Sequence, residues 1–213
     1  MLRRYFISLL YLIISIVFCS AHAGSYEDFF QAVNRDDGEA IKVLVLRGFD
    51  VNSRSPEGQT ALHLALRDQA PRVTRSLWDI PALDVNAVNA SGETPLMLAA
   101  LRGELEWANR LIERGAKVHR DGWSPLHYAA TGPEPKIVAM LLDLGAPVDA
   151  RSPNKTTPLM MAARYGAEAS VDMLLARGAD KRLRNDSDQD AAEFAMSGGR
   201  DYLVGRLGAV PPR

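Results

Sequence analysis

The chain has 213 residues, 24% charged and 47% hydrophobic, and its 25 Lys and Arg against 26 Asp and Glu give a formal net charge of -1. These values lie far from the low-hydrophobicity, high-charge regime of disordered chains, and the near-neutral balance argues against nucleic acid as the main partner, because phosphate binding needs clustered positive charge. A single cysteine excludes an intramolecular disulfide and any zinc site built from several thiolates.

In chain order, Met1-Leu2-Arg3-Arg4 is positive, Tyr5 to Phe18 is an apolar run whose only polar interruptions are Ser8 and Ser15, and Ala21-His22-Ala23 is a small-x-small site. This reads as a signal peptide cleaved after Ala23. The run is short for a membrane span, which needs about 20 residues, and Arg3 and Arg4 would hold the N-terminus inside on either reading. The rest of the chain is therefore expected to be exported to the periplasm, with secretion or anchoring on the same side as alternatives and no membrane contact after cleavage. Phe18, bulky just ahead of Cys19, argues against a lipoprotein signal. Cleavage removes Arg3, Arg4 and Cys19, so the mature chain from Gly24 to Arg213 carries a net charge of -3 and no cysteine.

Ser25-Tyr26-Glu27-Asp28 has the form of a capping box opening a helix, with Tyr26, Phe29, Phe30 and Val33 on one face. A second helix is expected from Gly38 to Leu46. A motif then recurs: Thr60-Ala61-Leu62-His63-Leu64-Ala65, Thr94-Pro95-Leu96-Met97-Leu98-Ala99, Ser124-Pro125-Leu126-His127-Tyr128-Ala129 and Thr157-Pro158-Leu159-Met160-Met161-Ala162. The interval from the second copy to the third is shorter than the other two. A degraded copy, Asp190 to Ala195, follows one full interval after the fourth. Thr94 and Thr157 are suited to cap a helix, Pro95, Pro125 and Pro158 to occupy its first position, and Leu96, Ala99 and Ala100 to form an apolar face. Gly103 or Gly166 should end this helix in a tight turn. A second helix follows in each copy and is expected to stop at Gly115, Gly145 or Gly178. One helix pair cannot bury its apolar face alone, so the copies must stack.

At Thr-Pro-Leu-His-x-Ala followed by Leu-Leu-x-x-Gly-Ala, the chain resembles the ankyrin repeat family, over roughly residues 25–207. The resemblance implies an all-α ankyrin-repeat solenoid of stacked helix-turn-helix units with short β-hairpin fingers. Its divisions would be an N-terminal cap at 24–54, repeats at 55–88, 89–119, 120–151 and 152–184, a C-terminal cap at 185–208 with a last helix from Arg200 to Leu207, and a frayed tail at 209–213. Three departures stand out. The short interval shows as a deletion between Ala116 and Gly122 and predicts a stunted finger. Ile80-Pro81-Ala82-Leu83 replaces a glycine stop, and Lys155 replaces a finger glycine.

Catalytic chemistry finds no footing. The resemblance gives His63 and His127 a structural role, tying loop to helix by hydrogen bonds, and they lie two repeats apart. His119 reads as a lone solvated histidine. Asp36-Asp37 and the Asp186, Asp188 and Asp190 group read as turns rather than a calcium loop. There is no Gly-x-Ser-x-Gly, no phosphate-binding glycine loop and no cysteine after residue 23. Met97, Met160 and Met161 read as core. No enzyme activity, metal or cofactor is expected.

The resemblance places partner binding on finger tips and on the exposed side of the first helices. Finger candidates are Glu57, Gln59, Glu93, Arg120, Asp121, Trp123 and Lys155. Helix candidates are Arg67, Arg102, Arg164 and Tyr165, with Leu101 and Thr131 beside them. Trp123 is either an exposed hot spot or a cover over the stunted finger. Arg67, Arg102 and Arg164 are either a basic stripe or dispersed solubilising charge. The expected function is a non-catalytic protein-protein interaction scaffold, monomeric, with a protein partner. An immunity or inhibitor protein and an accessory factor for an exported oxidative-defence enzyme are the alternatives.

Overall fold

The computed structural model describes residues 24–208. The signal-peptide reading of 1–23 and the tail at 209–213 lie outside the described residues. The chain divides into two compact units, the first ending at Leu83 and the second beginning at Asp84. No helix among the described residues is long and apolar enough to cross a membrane.

The first unit holds α1, helical over 24–34, α2 (Gly38–Leu46), α3 (Ala61–Arg67) and α4 (Pro71–Trp78). The helix is already formed at Gly24, so Ser25 sits within it instead of capping its start. Phe29 and Val33 are buried, and the Phe29 and Phe49 rings lie 4.5 Å apart. The Tyr26 hydroxyl donates to the Arg54 carbonyl at 2.7 Å, tying α1 to the first finger. His63 Nδ1 meets Thr60 Oγ1 at 2.7 Å beneath that finger.

The second unit holds α5 (Pro95–Arg102), α6 (Leu105–Glu113), α7 (Pro125–Thr131), α8 (Pro135–Asp143), α9 (Pro158–Tyr165), α10 (Glu168–Ala176) and α11 (Ala191–Ser197), then a 3-10 turn, Asp201–Leu203, and α12 (Val204–Leu207). The last helix expected from Arg200 is thus one 3-10 turn followed by one α turn. Inner helices α5, α7, α9 and α11 pack successively side by side, and α6, α8 and α10 form a second row behind them. The inner row closes up because small residues stand at its contacts: Ala99, Ala129, Ala162 and Ala195 are fully buried beside Leu96, Leu126 and Leu159.

Helix boundaries follow local chemistry. Pro95, Pro125 and Pro158 open their helices, where a missing N–H costs nothing. Thr94 accepts the Met97 N–H at 3.4 Å and Thr157 the Met160 N–H at 3.3 Å. The methionine sulfurs reply, accepting the Thr94 and Thr157 N–H groups at 3.3 and 3.4 Å. Asp190 and Glu193 exchange the same pair of bonds, both at 2.9 Å. Arg184 pairs with Asp188, Asp190 and Glu193, so its guanidinium occupies the centre of that acidic cluster. Gly115, Gly145 and Gly178 follow α6, α8 and α10 with left-handed φ of 92°, 85° and 86°.

One expectation needs correction. Gly166 makes no tight left-handed turn, being extended at φ -85° and ψ -179°. The requirement there is space: a Cβ would fall 1.9 Å from the Ala130 carbonyl oxygen of the neighbouring inner helix. Gly132 is in the same position against Ala100, at 2.4 Å. The fingers are the expected short hairpins, each too short to carry a strand ladder. Among the described residues each is closed by a pair of backbone bonds: the Ser55 N–H to Gln59 at 2.7 Å with the Gly58 N–H to Ser55 at 2.8 Å, Asn89 to Glu93 at 2.9 Å with Gly92 to Asn89 at 3.0 Å, Ser152 to Thr156 at 3.0 Å with Lys155 to Ser152 at 2.8 Å, and Asn185 to Gln189 at 3.0 Å with Asp188 to Asn185 at 3.0 Å. An isolated bridge joins Arg54 and Thr60. Between Ala116 and Gly122 the chain runs as a bend, and the described residues form no such closing bond from His119 to Trp123.

Candidate partner-binding site

The shortened finger leaves Trp123 without a hairpin to sit on. Its ring instead meets the His127 ring edge-on, with centroids 5.2 Å apart. His127 is fully buried. Its Nδ1 accepts from the Ser124 N–H at 3.2 Å, which leaves the proton on Nε2 to be donated to the Thr156 carbonyl at 3.0 Å. Burial holds this imidazole down at about 4, so it is neutral in the folded protein.

Beside this pair a hollow of about 260 Å³ opens, lined by Leu101, Trp123, His127, Tyr128, Thr131 and Met161. Leu101 and Thr131 come from the last turns of α5 and α7, Tyr128 from one turn earlier on α7, and Met161 from the matching turn of α9. The lining carries no formal charge. Met161 was expected in the core with Met160. It is half-buried and faces the hollow, whereas Met97 and Met160 are buried. The Tyr128 hydroxyl donates to Glu93 at 3.0 Å, and Glu93 also accepts from Asn89 Nδ2 at 2.8 Å. Burial, then the Glu93 carboxylate, raises the Tyr128 phenol well above its ordinary value, so it stays protonated and fixed.

Other finger candidates in this unit serve the scaffold. Arg120 is half-buried and donates to the Gly92 carbonyl, tying the shortened finger to its neighbour. Lys155 has a left-handed φ of 59° where the finger glycine would stand and pairs with Asp186 at 2.6 Å. Asp121 is exposed.

The helix candidates also separate. Arg164 lies between two rings, 5.0 Å from Tyr165 and 5.2 Å from Phe194. Tyr165 is 54% exposed. Arg102 is exposed on the last turn of α5. Arg200 was not foreseen: its guanidinium donates to the carbonyls of Ala162, Ala163 and Gly166 at 2.9, 3.1 and 2.8 Å, closing the C-terminus of α9.

The first unit has its own hollow, of about 430 Å³, which brings Glu57, Gln59 and Arg67 together around Tyr26, Phe30 and Leu64. Arg67 forks onto the Asp68 carboxylate with two bonds of 2.7 Å, and the Ser55 hydroxyl donates to Glu57 at 2.8 Å, lowering the pKa of that carboxyl. This hollow has polar and charged walls, unlike the one in the second unit. No group of three or more His, Cys, Asp or Glu among the described residues is arranged to hold a metal ion.

A family model described as ankyrin repeats (3 copies) matches residues 29–121 and 118–185. The chain is 31% identical over 154 residues to B-cell lymphoma 3 protein homolog of Mus musculus, covering 69% of this chain and 34% of that protein. It is 28% identical over 184 residues to Protein glp-1 of Caenorhabditis elegans, covering 79% of this chain and 14% of the relative. Neurogenic locus notch homolog protein 4 of Homo sapiens is 35% identical over 148 residues, 62% of this chain and 7% of its own length. The chain thus spans about a third or less of each of these relatives.

Proposed function

The chain belongs to the ankyrin repeat family, and from that premise we propose that it is a non-catalytic protein-interaction module whose partner seats an apolar side chain in the hollow of the second unit. Ankyrin repeats mediate protein–protein interaction. The observation that carries the finer reading is the uncharged hollow walled by Trp123, Tyr128 and Met161. Tyr128 is pinned by Glu93 and Trp123 rests on buried His127, so these walls are ordered before a partner arrives. Preorganised aromatic walls around a small desolvated pocket are the setting of interface hot spots. Seating one Leu, Met or Phe side chain there stabilises a complex by about 1.5–3 kcal/mol.

The test uses a peptide selected on the purified protein from a random library. Trp123→Ala should weaken that peptide by at least about tenfold, while the far-UV spectrum and melting midpoint stay near those of the parent. Undiminished affinity would remove the hollow from the binding surface.

We further propose that the module acts after export, in the periplasm. Arg3, Arg4, the apolar run that follows and Ala21-His22-Ala23 support this. Mass spectrometry of the protein from periplasmic extract should find Gly24 at its N-terminus. Recovery only from the cytoplasm, with residues 1–23 intact, would contradict it.

A further inference from the structure

A cleft of about 580 Å³ in the first unit carries charge that the fold does not use. Its floor is a close crossing of α2 and α4. A Cβ on Gly38 would fall 2.4 Å from Ser76 Oγ and 2.6 Å from the Arg72 carbonyl oxygen, so no side chain at Gly38 could fit between them. The carboxylates around this floor are engaged. Asp36 accepts the Val73 N–H at 2.8 Å, Asp37 accepts the Ala40 N–H at 3.1 Å, and Glu39 pairs with Lys42 at 3.1 Å.

The arginines are not. Arg35, Arg72 and Arg75 line the same cleft, are exposed, and their side chains make no hydrogen bond or ion pair among the described residues. The position of Arg72 also works against α4, whereas Arg75 stands in its last turn, where a cation is favoured. Arg72 is in the first turn of α4, which has no acidic residue there, so its charge faces the positive end of the helix dipole. Arg75, three positions on, is a like charge on the same side. Asp36 answers the dipole by accepting the Val73 N–H in the first turn of α4, and the repulsion between Arg72 and Arg75 remains.

We infer that this cleft binds a phosphate-bearing anion, either a free diphosphate or the phosphate of a lipid headgroup. Guanidinium groups fork onto phosphate oxygens with two parallel donors each. An anion seated over Gly38 takes donors from Arg72 and Arg75 on one wall and Arg35 on the other, with the Ser76 hydroxyl at the floor. Binding an anion there relieves the like-charge repulsion between Arg72 and Arg75 in α4. The inference does not depend on the hollow of the second unit.

Pyrophosphate titrated into the purified protein, followed by calorimetry and by melting midpoint, tests it. The parent should bind saturably and melt higher with ligand. Arg72→Gln combined with Arg75→Gln should bind at least about tenfold more weakly, with its own ligand-free midpoint equal to or above the parent's. Arg47→Gln, an exposed arginine of the same unit that does not line the cleft, should bind as the parent does. Absent binding by the parent, undiminished binding by the double variant, or an equal loss in Arg47→Gln overturns the inference. Flotation with phosphatidylcholine vesicles, with and without phosphatidic acid, then separates the sources. Pyrophosphate-displaceable capture on the acidic vesicles assigns a headgroup phosphate, and pyrophosphate binding without capture assigns a free diphosphate.

Discussion

Gly166→Ala should destabilise the second unit by about 3 kcal/mol or more, the scale of overpacking a contact that cannot yield. The new Cβ would sit 1.9 Å from the Ala130 carbonyl oxygen and 3.0 Å from the Ala162 Cα. Both obstacles are backbone, so no rotamer change relieves the clash, and α9 must move off α7. These two helices also supply Tyr128, Thr131 and Met161 to the hollow, so peptide binding should fall with stability. Gly205→Ala is the matched control. A Cβ there meets nothing within 4 Å, and alanine is favoured over glycine within a helix by about 0.5–1 kcal/mol. Urea denaturation of the two variants should move the midpoint in opposite directions. Equal midpoints for Gly166→Ala and the parent would mean that the inner helices do not meet as closely as described.

Acid should weaken the fold through His127. In the folded protein its pKa lies at about 4, below the ordinary 6.5. Between those values the unfolded chain takes up a proton that the folded one refuses. The contribution is fully present above pH 6.5 and is lost as pH falls through 4, amounting to about 3 kcal/mol in all. The other copies of the repeat supply the test. Met97 and Met160 occupy the same slot, and their sulfurs accept the same backbone N–H that His127 Nδ1 accepts. His127→Met should therefore fold. It loses the Nε2–H bond to Thr156, whose carbonyl still accepts from Ser152 at 3.0 Å, so the cost at pH 7 should be about 1 kcal/mol. Below about pH 5 the order should reverse, with the methionine variant the more stable. Parallel stability-against-pH curves for the two proteins would mean that His127 titrates in the fold as it does in the unfolded chain.

The repeat punctuation was legible in the sequence because each part of it acts within one turn of chain. Thr94, Pro95 and Gly115 can be read without knowing what lies beside them. Gly166 could be recognised as a glycine but not explained, since its reason is the Ala130 carbonyl, a full repeat earlier in the chain. Arg200 was hidden for the same cause: its three acceptors, on Ala162, Ala163 and Gly166, also lie a full repeat away. The hollow was half visible. Trp123, Leu101 and Thr131 belong to the binding surface that the family resemblance implied. Met161 was lost to the core through its neighbour Met160, although a signal existed. It stands one repeat after Tyr128, at the place just beyond the buried His slot, so the two share a face of adjacent helices. Arg120 could be placed in a finger, but its bond to Gly92 depends on the shortened loop and not on the motif.

Methionine-methyl NMR on the purified protein, titrated with a library-selected peptide bearing one apolar anchor, tests the binding role most directly. Met161 lines the hollow, whereas Met196 is 45% exposed and does not line it. The Met161 methyl and the Trp123 indole N–H should shift saturably together, with Met196 unmoved, and the shifts should vanish when the anchor is replaced by alanine. A bound peptide that leaves Met161 and Trp123 unchanged would contradict the hollow as the place where this protein meets its partner.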